Sequence, residues 1–437
     1  VSELPSTWIT APLKECANIN MGQSPEGKYV IENKHGLPFY QGKAEFGKTY
    51  PTPRKYCIQP TKIAQQNDIL LSIRAPVGPT NLCPEESCIG RGLAGIRADE
   101  GLHQQYLLRY FKHIEPWLSQ QGTGSTFKAI SGGFLSDVEV VIAPLNEQIR
   151  IADKLDSVLA KVDAAQAQLE KIPTLLKRFR QSVLAAAISG ELTKEWRAQY
   201  DIALEDWTQT VFSELSREIT VGFVGKMSDK YQESGVKFLR SQNVRAFRFN
   251  PDNLLYISKD FHREIYKSRL EEGDLAIVRS GAPGTTCVIP KDLGDANCSD
   301  LVIVRPNDQL LPEYGCIYMN SSVAQQNVIA NQVGVAQQHF NVGSMKSMPI
   351  SLPTIQEQKE IVRRVESLFT LADTVEKQYL AAKQRLDHLS QSLLAKAFRG
   401  ELVPQDPNDE PAAELLKRIQ AERNAQPPVK NKRAKSA

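Results

Sequence analysis

The chain has 437 residues with 53 Lys and Arg against 50 Asp and Glu, a net charge of +3. That length suits two or three domains of roughly 100–200 residues, and that charge excludes a polycation held to nucleic acid by bulk charge, though not local basic patches. Hydrophobic residues make up 41% and charged residues 24%, an ordinary globular balance, with no apolar run of the roughly 20 residues a membrane helix needs.

No signal peptide is expected at Val1-Ser2-Glu3-Leu4-Pro5, which lacks a basic stretch followed by an apolar one. The seven cysteines, an odd number and widely scattered, read as reduced thiols of a cytoplasmic protein.

Taken in chain order, residues 1–144 read as a first globular segment. Trp8 opens it, and Phe39-Tyr40-Gln41 and Asp68-Ile69-Leu70-Leu71-Ser72-Ile73-Arg74 read as strands. The second strand runs into the turn Ala75-Pro76-Val77-Gly78, and Cys88 precedes another strand, Leu93-Ala94-Gly95-Ile96-Arg97. Residues 145–192 read as a long helix, with apolar positions at Ile151, Leu155, Val158, Val162, Ala165, Leu169, Ile172, Leu176, Phe179 and Val183. Pro173 lies inside it and predicts a kink near Ile172-Pro173, because it removes a backbone donor.

Residues 205–353 read as a second globular segment with the same skeleton. Trp207 opens it, and Phe238-Leu239-Arg240 matches the earlier Phe39 strand. Asp274-Leu275-Ala276-Ile277-Val278-Arg279 leads into Ser280-Gly281-Ala282-Pro283-Gly284, and Cys298 precedes Leu301-Val302-Ile303-Val304-Arg305. Residues 354–402 read as a second long helix, with Ile361, Val365, Leu368, Ala372, Val375, Tyr379, Ala382, Leu386, Leu389 and Leu393 in the same phase. Residues 403–437 are a tail, with a short helix expected from about Pro411 to Ala425. Its basic end reads as solvated, with a weak phosphate contact as the alternative.

The two helical stretches are a duplication. Shifted by 210 positions, 145–192 matches 355–402 without a gap at 15 of 48 positions, including Glu147-Gln148 on Glu357-Gln358 and Gly190-Glu191-Leu192 on Gly400-Glu401-Leu402. Steps of four and three sustained this long mark a coiled-coil seam of about 50 Å. The expected arrangement is a pair of long antiparallel coiled-coil helices packed on each other. The alternative is two amphipathic helices packed separately on globular cores. Gly190 and Gly400 read as helix C-caps. The fold expected is α/β (α+β): two mixed α/β domains separated by the helix pair, in a pseudo-two-fold arrangement.

Catalytic motifs are missing. Gly22-Gln23-Ser24-Pro25-Glu26-Gly27-Lys28-Tyr29 starts like a phosphate loop, but Tyr29 stands where Ser or Thr must hold magnesium. Asn250-Pro251-Asp252 is not the base-holding motif of an adenine methylase. Cys83 and Cys88 have no partner pair to complete a zinc site. No catalytic, cofactor or metal residue is assigned.

The globular segments offer instead polar loops flanked by glycine, whose backbone can approach a ligand closely. Gln and Asn can pair with adenine, and Arg or Lys with guanine. The candidate DNA contacts are Gln41, Lys43, Arg74 and Lys128 in the first segment. In the second they are Arg240, Gln242, Asn243, Arg279, Gln337 and His339. Each loop taken alone also reads as an ordinary surface turn.

The chain resembles the specificity subunit of a type I restriction–modification system, closest to the type IA group, over nearly its whole length. The resemblance is carried by Leu-Asp-Ser-Val-Leu-Ala-Lys-Val-Asp at 155–163, Leu-Lys-Arg-Phe-Arg-Gln-Ser-Val-Leu at 176–184, Val-Glu-Ser-Leu-Phe-Thr-Leu-Ala-Asp at 365–373 and Ser-Leu-Leu-Ala-Lys-Ala-Phe-Arg-Gly-Glu-Leu at 392–402. It implies a target-recognition domain in 1–144 and another in 205–353. Each would read half of a bipartite, asymmetric site in double-stranded DNA. The conserved helices would set the spacer and dock two modification (methylase) subunits, which restriction subunits join. S-adenosylmethionine, ATP and Mg2+ would be bound by those partners, and this chain would be no enzyme by itself. A coiled-coil adaptor without DNA specificity is the rival expectation.

Overall fold

The computed structural model describes residues 4–122, 129–331 and 339–425. The chain divides into two compact units, one made of Val1–Leu169 with Ala381–Ala437, the other of Glu170–Leu380.

In the first unit a four-stranded antiparallel sheet takes the order Ala17–Met21, Leu93–Ala98, Ile69–Ser72, Thr80–Leu82. Ile69–Ser72 is buried on both faces. Its alternation sends Ile69 and Leu71 into a core shared with Tyr106, Leu107 and Phe111 of the Gln104–Gln121 helix, and Leu70 into a second core with Tyr40 and Ile89. Each such aliphatic side chain stabilises the fold by about 1.5–3 kcal/mol. That second core belongs to a five-stranded sheet ordered Val30–Ile31, Lys55–Cys57, Leu37–Tyr40, Ser87–Ile89, Ile63–Ala64, whose central pair is parallel. Ile9–Pro12 pairs with Glu139–Ile142.

The second unit repeats this topology strand for strand. Its four-stranded sheet runs Ser216–Val221, Leu301–Pro306, Leu275–Val278, Thr286–Val288. Its five-stranded sheet runs Tyr231–Gln232, Leu255–Ile257, Val236–Leu239, Ala296–Cys298, Arg269–Leu270, again with a parallel central pair. Thr208–Val211 pairs with Pro349–Leu352. Alternation again splits Leu275 and Ile277 from Ala276 and Val278 into two cores. The single Gln104–Gln121 helix is replaced by Pro312–Met319 and Ser322–Ala330, and a hairpin of Val244–Arg245 with Arg248–Phe249 is added. The matched Asp and Arg of the strand runs form ion pairs, Asp68 with Arg97 at 2.7 Å and Asp274 with Arg305 at 3.5 Å.

The first long helix is two helices, Leu145–Leu169 and Ile172–Ile188. The expected kink is a full break at Glu170-Lys171. Pro173 lies in the first turn of the new helix, where its missing donor has no partner to lose. Ile355–Ala397, with Lys383 in the matching place, runs 43 residues without interruption. In the first unit Leu145–Leu169 lies antiparallel to 381–397. Gln166 donates to Asp387 at 3.1 Å, and Leu155 shares a core with Leu394 and Ala397. In the second unit Ile172–Ile188 lies antiparallel to the start of the long helix. Arg180 donates to Asp373 at 2.7 Å and Glu376 at 2.8 Å, while Val183 and Leu184 share a core with Ile361 and Val365. The seam therefore serves both alternatives: its outer positions join globular cores, and its middle positions meet the other helix. Gly190 and Gly400 cap these helices at φ 79° and 76°.

The repeated Glu-Gln pairs anchor each helix start. Trp8 Nε1 donates to Glu147 at 2.9 Å, and Trp207 Nε1 donates to Glu357 at 2.9 Å. Gln148 accepts from the His103 amide and donates to the Ala143 carbonyl; Gln358 accepts from the Leu311 amide and donates to the Pro353 carbonyl. All four side chains are buried. The tail folds as a helix over Ala412–Ala425, and its Leu415 and Ile419 join the first unit's core.

Candidate nucleic-acid interface

Three loops of the first unit converge. The Lys43–Glu45 turn follows strand Leu37–Tyr40, Arg74 follows strand Ile69–Ser72, and Arg91-Gly92 separates strands Ser87–Ile89 and Leu93–Ala98. Together they line an open cavity of about 710 Å³ whose walls include Gln41, Lys43, Glu45, Arg74 and Arg91. The Glu45 carboxylate accepts from the Gln41 amide at 3.3 Å and the Gly42 amide at 3.0 Å, which fixes the turn. A Cβ at position 92 would sit 2.1 Å from the Gln41 carbonyl oxygen, so only glycine lets these two loops touch. Gln41, Lys43, Arg74 and Arg91 are exposed. Lys43 also favours the ionised form of the Glu115 carboxyl, which burial pushes the other way.

The second unit builds the same cradle from different side chains. Ser299 donates its amide to the Leu239 carbonyl, as Gly90 does to Tyr40. This brings Arg240, Ser241 and Gln242 beside Asp300. The Asp300 carboxylate accepts from the Ser280 and Ser241 hydroxyls, and Arg279 stands 3.8 Å from its other oxygen. Arg279 Nε donates to the Phe340 carbonyl at 3.3 Å. Gln242 is exposed, and Arg240 is half-buried with a 3.3 Å bond to the Asn253 carbonyl.

One sequence expectation changes here. Asn243 is no exposed reader: it is fully buried, its Oδ1 accepts from the Arg240 amide, and its Nδ2 donates to the Asn250 and Asp252 carbonyls. Arg74 and Arg279 are not equivalents. The Ile130 amide bonds the Ile73 carbonyl just as the Phe340 amide bonds that of Arg279, so Ser280 stands in Arg74's place. Lys128 and Gln337 lie outside the described residues, as does most of each Gly-flanked loop. Beyond the undescribed 123–128 and 332–338, Ala129 is held at the first cradle by pairing with Arg74 and Phe340 at the second by its bond to Arg279. His339 is half-buried, and its Nδ1 has no hydrogen-bond partner among the described residues.

The sequence reading missed Arg91 and Asp300. Their signal was positional, since each fills the short interval between a matched cysteine strand and the next matched strand. Among the described residues no group of three or more His, Cys, Asp or Glu is placed to hold a metal, and no helix is long and apolar enough to cross a membrane. All seven cysteines are buried and free, and burial pushes the thiols of Cys16, Cys88 and Cys287 up to about 12.

The described residues form two like-folded domains with divergent polar cradles and duplicated helices. Residues 5–174 and 222–382 match the family described as type I restriction modification DNA specificity domain. The chain is 31% identical to the type I restriction enzyme EcoBI specificity subunit of Escherichia coli, over 96% of this chain and 93% of that one. It is equally identical to the EcoKI specificity subunit of Escherichia coli strain K12, over 99% of both. The fold is shared with a chain from a structural study of complex assembly and conformational transition of the type I R-M system (TM-score 0.68, 16% identity, 92% of this chain, 100% of that one). It is also shared with the HsdS subunit from Thermoanaerobacter tengcongensis (TM-score 0.60, 17% identity, 92% and 98%). The chain belongs to the type I restriction–modification specificity subunits. It is a non-catalytic subunit that gives such a complex its DNA sequence recognition.

Proposed function

We propose that each cradle reads one half of a bipartite, asymmetric DNA site. Residues 1–144 are the first target-recognition domain and 205–353 the second. The helical stretches 145–192 and 354–402 set the spacer and dock two modification subunits, to which restriction subunits add. S-adenosylmethionine, ATP and Mg2+ belong to those partners, and the complex works on DNA in the cytoplasm. The observation that carries this is one strand topology built twice, with matched loops whose side chains differ. A shared scaffold with unlike surfaces is what two unlike half-sites require.

The DNA-contacting side chains include Gln41, Lys43, Arg74 and Lys128 in the first domain, and Arg240, Gln242, Arg279, Gln337 and His339 in the second. Asn243 braces the second cradle from beneath. The test exchanges residues 205–353 for the corresponding segment of another family member and sequences the methylated sites made by the assembled complex. One half-site changes and the other persists. If both half-sites stay unchanged, the assignment fails.

A further inference from the structure

We propose that the two cradles select opposite hydrogen-bonding edges: the first reads the acceptor edge of a guanine through Arg91, and the second reads a base's exocyclic amino group through Asp300. This rests on the preceding reading that the cradles face DNA.

The first cavity carries Lys43, Arg74 and Arg91 against one carboxylate, Glu45. Among the described residues none of the three cations has an ion-pair partner, and Glu45 already serves two backbone amides of its own turn. All three are donors only, and the guanidinium presents a planar fork. In the major groove that fork matches the N7 and O6 acceptors of guanine. Arg91 is set between two glycines, and its loop touches the 41–45 loop through the close approach at Gly92. It therefore stands on a fixed backbone, whereas Lys43 is a flexible point charge suited to a neighbouring phosphate.

At the same topological place the second domain carries the opposite charge. Asp300 takes φ 55°, a left-handed conformation that Asp and Asn tolerate better than most residues. Its side chain is 45% exposed. Among the described residues Ser280 and Ser241 both donate to Oδ2, while Oδ1 has only Arg279 at 3.8 Å. Oδ1 thus keeps acceptor capacity toward solvent. A carboxylate at a DNA-facing site is repelled by phosphates, so it is useful only where it meets a donor on a base edge. In the major groove the donors are cytosine N4 and adenine N6. Asp300 would also reject guanine O6 and thymine O4, which offer only lone pairs.

The experiment uses the complex assembled with modification subunits and maps every methylated site for R91Q, R91K and D300N, with thermal unfolding as a folding control. R91Q replaces an exposed side chain, and D300N keeps both shape and left-handed tolerance. R91Q is expected to relax one G·C position in one half-site, losing roughly 5- to 150-fold discrimination there. R91K is expected to keep part of that preference. D300N is expected to relax one position in the other half-site, and the base lost there distinguishes cytosine from adenine. If R91Q and D300N lower affinity for all sites alike and leave the motif intact, the inference is overturned. Exchange of residues 205–353 separates the two levels. A changed half-site on exchange with an intact motif in D300N sinks this inference alone. No change on exchange sinks the reading beneath it.

Discussion

The Asn243 side chain is fully buried, and its three hydrogen bonds hold the Arg240 amide and the Asn250 and Asp252 carbonyls. Gln242, one residue earlier, is exposed and makes one 3.3 Å bond to the Asn253 carbonyl. N243A therefore leaves three backbone groups without partners and should cost roughly 2–4 kcal/mol, whereas Q242A should stay within about 0.5 kcal/mol. Urea titration of the two variants checks the difference. Residue type suggested both as DNA contacts, because Asn and Gln share an amide head; which one folds back on the chain depends on a turn that no local pattern announces. Asp274 makes a second residue-scale case. Burial raises its carboxyl to about 6, even beside Arg305, because that guanidinium is shared with Glu218 and Glu271 and, among the described residues, the Asp274 Oδ1 has no hydrogen-bond partner. The folded state then holds a proton that the unfolded state releases near 3.8. Its stabilisation is complete below about pH 4 and is lost as pH rises through about 6. Relative to D274N, the native protein should lose roughly 1–3 kcal/mol of unfolding free energy over that interval. Thermal unfolding of both proteins at pH 4 and pH 7 reads this.

The helix anchors look equivalent in sequence and differ in chemistry. Glu357 accepts from Trp207 on one oxygen and from Thr193 and the buried Arg197 on the other. Glu147 accepts from Trp8 and from the neutral Gln405 amide, at 2.7 Å. In E357Q the new amide must point its N–H groups at one donor or the other and leaves Arg197 without its carboxylate, a loss of roughly 3–5 kcal/mol. In E147Q the Gln405 amide can turn over and present its oxygen, so the loss should be nearer 1 kcal/mol. Denaturant unfolding of the two variants should show that asymmetry, and equal losses would remove the argument. Existence and phase of the helices were legible because a 3.5-residue period survives any partner. The break at Glu170-Lys171 was legible as a Pro173 kink but not as a full stop. Lys383 in the matching place of the second helix shows that the proline, not the seam, makes the difference.

Across the whole chain, duplication is easier to see in the helices than in the globular domains. Helix residues face each other and the cores, so their identities persist at 15 of 48 positions. The domains keep strand order and buried alternation, which tolerate any aliphatic residue, and diverge in the loops that form the cradles. Arg91 and Asp300 were hidden for that reason. The same divergence fixes the charge. Residues 1–144 hold 14 basic and 13 acidic side chains, a net +1, and residues 205–353 hold 15 and 17, a net −2. Neither domain can hold a duplex through bulk charge, so few phosphates are neutralised by this chain itself. Each neutralised phosphate contributes a slope of about −0.9 to log K against log salt. The purified chain should therefore bind its site weakly, with a slope of roughly −1 to −3. On the proposed function, adding modification subunits should tighten binding and steepen the slope, because each partner would add phosphate contacts of its own. Salt titrations of chain and complex on the same duplex decide this. An isolated chain that matched the complex in both affinity and slope would show that its own side chains supply the phosphate contacts, against the charge count.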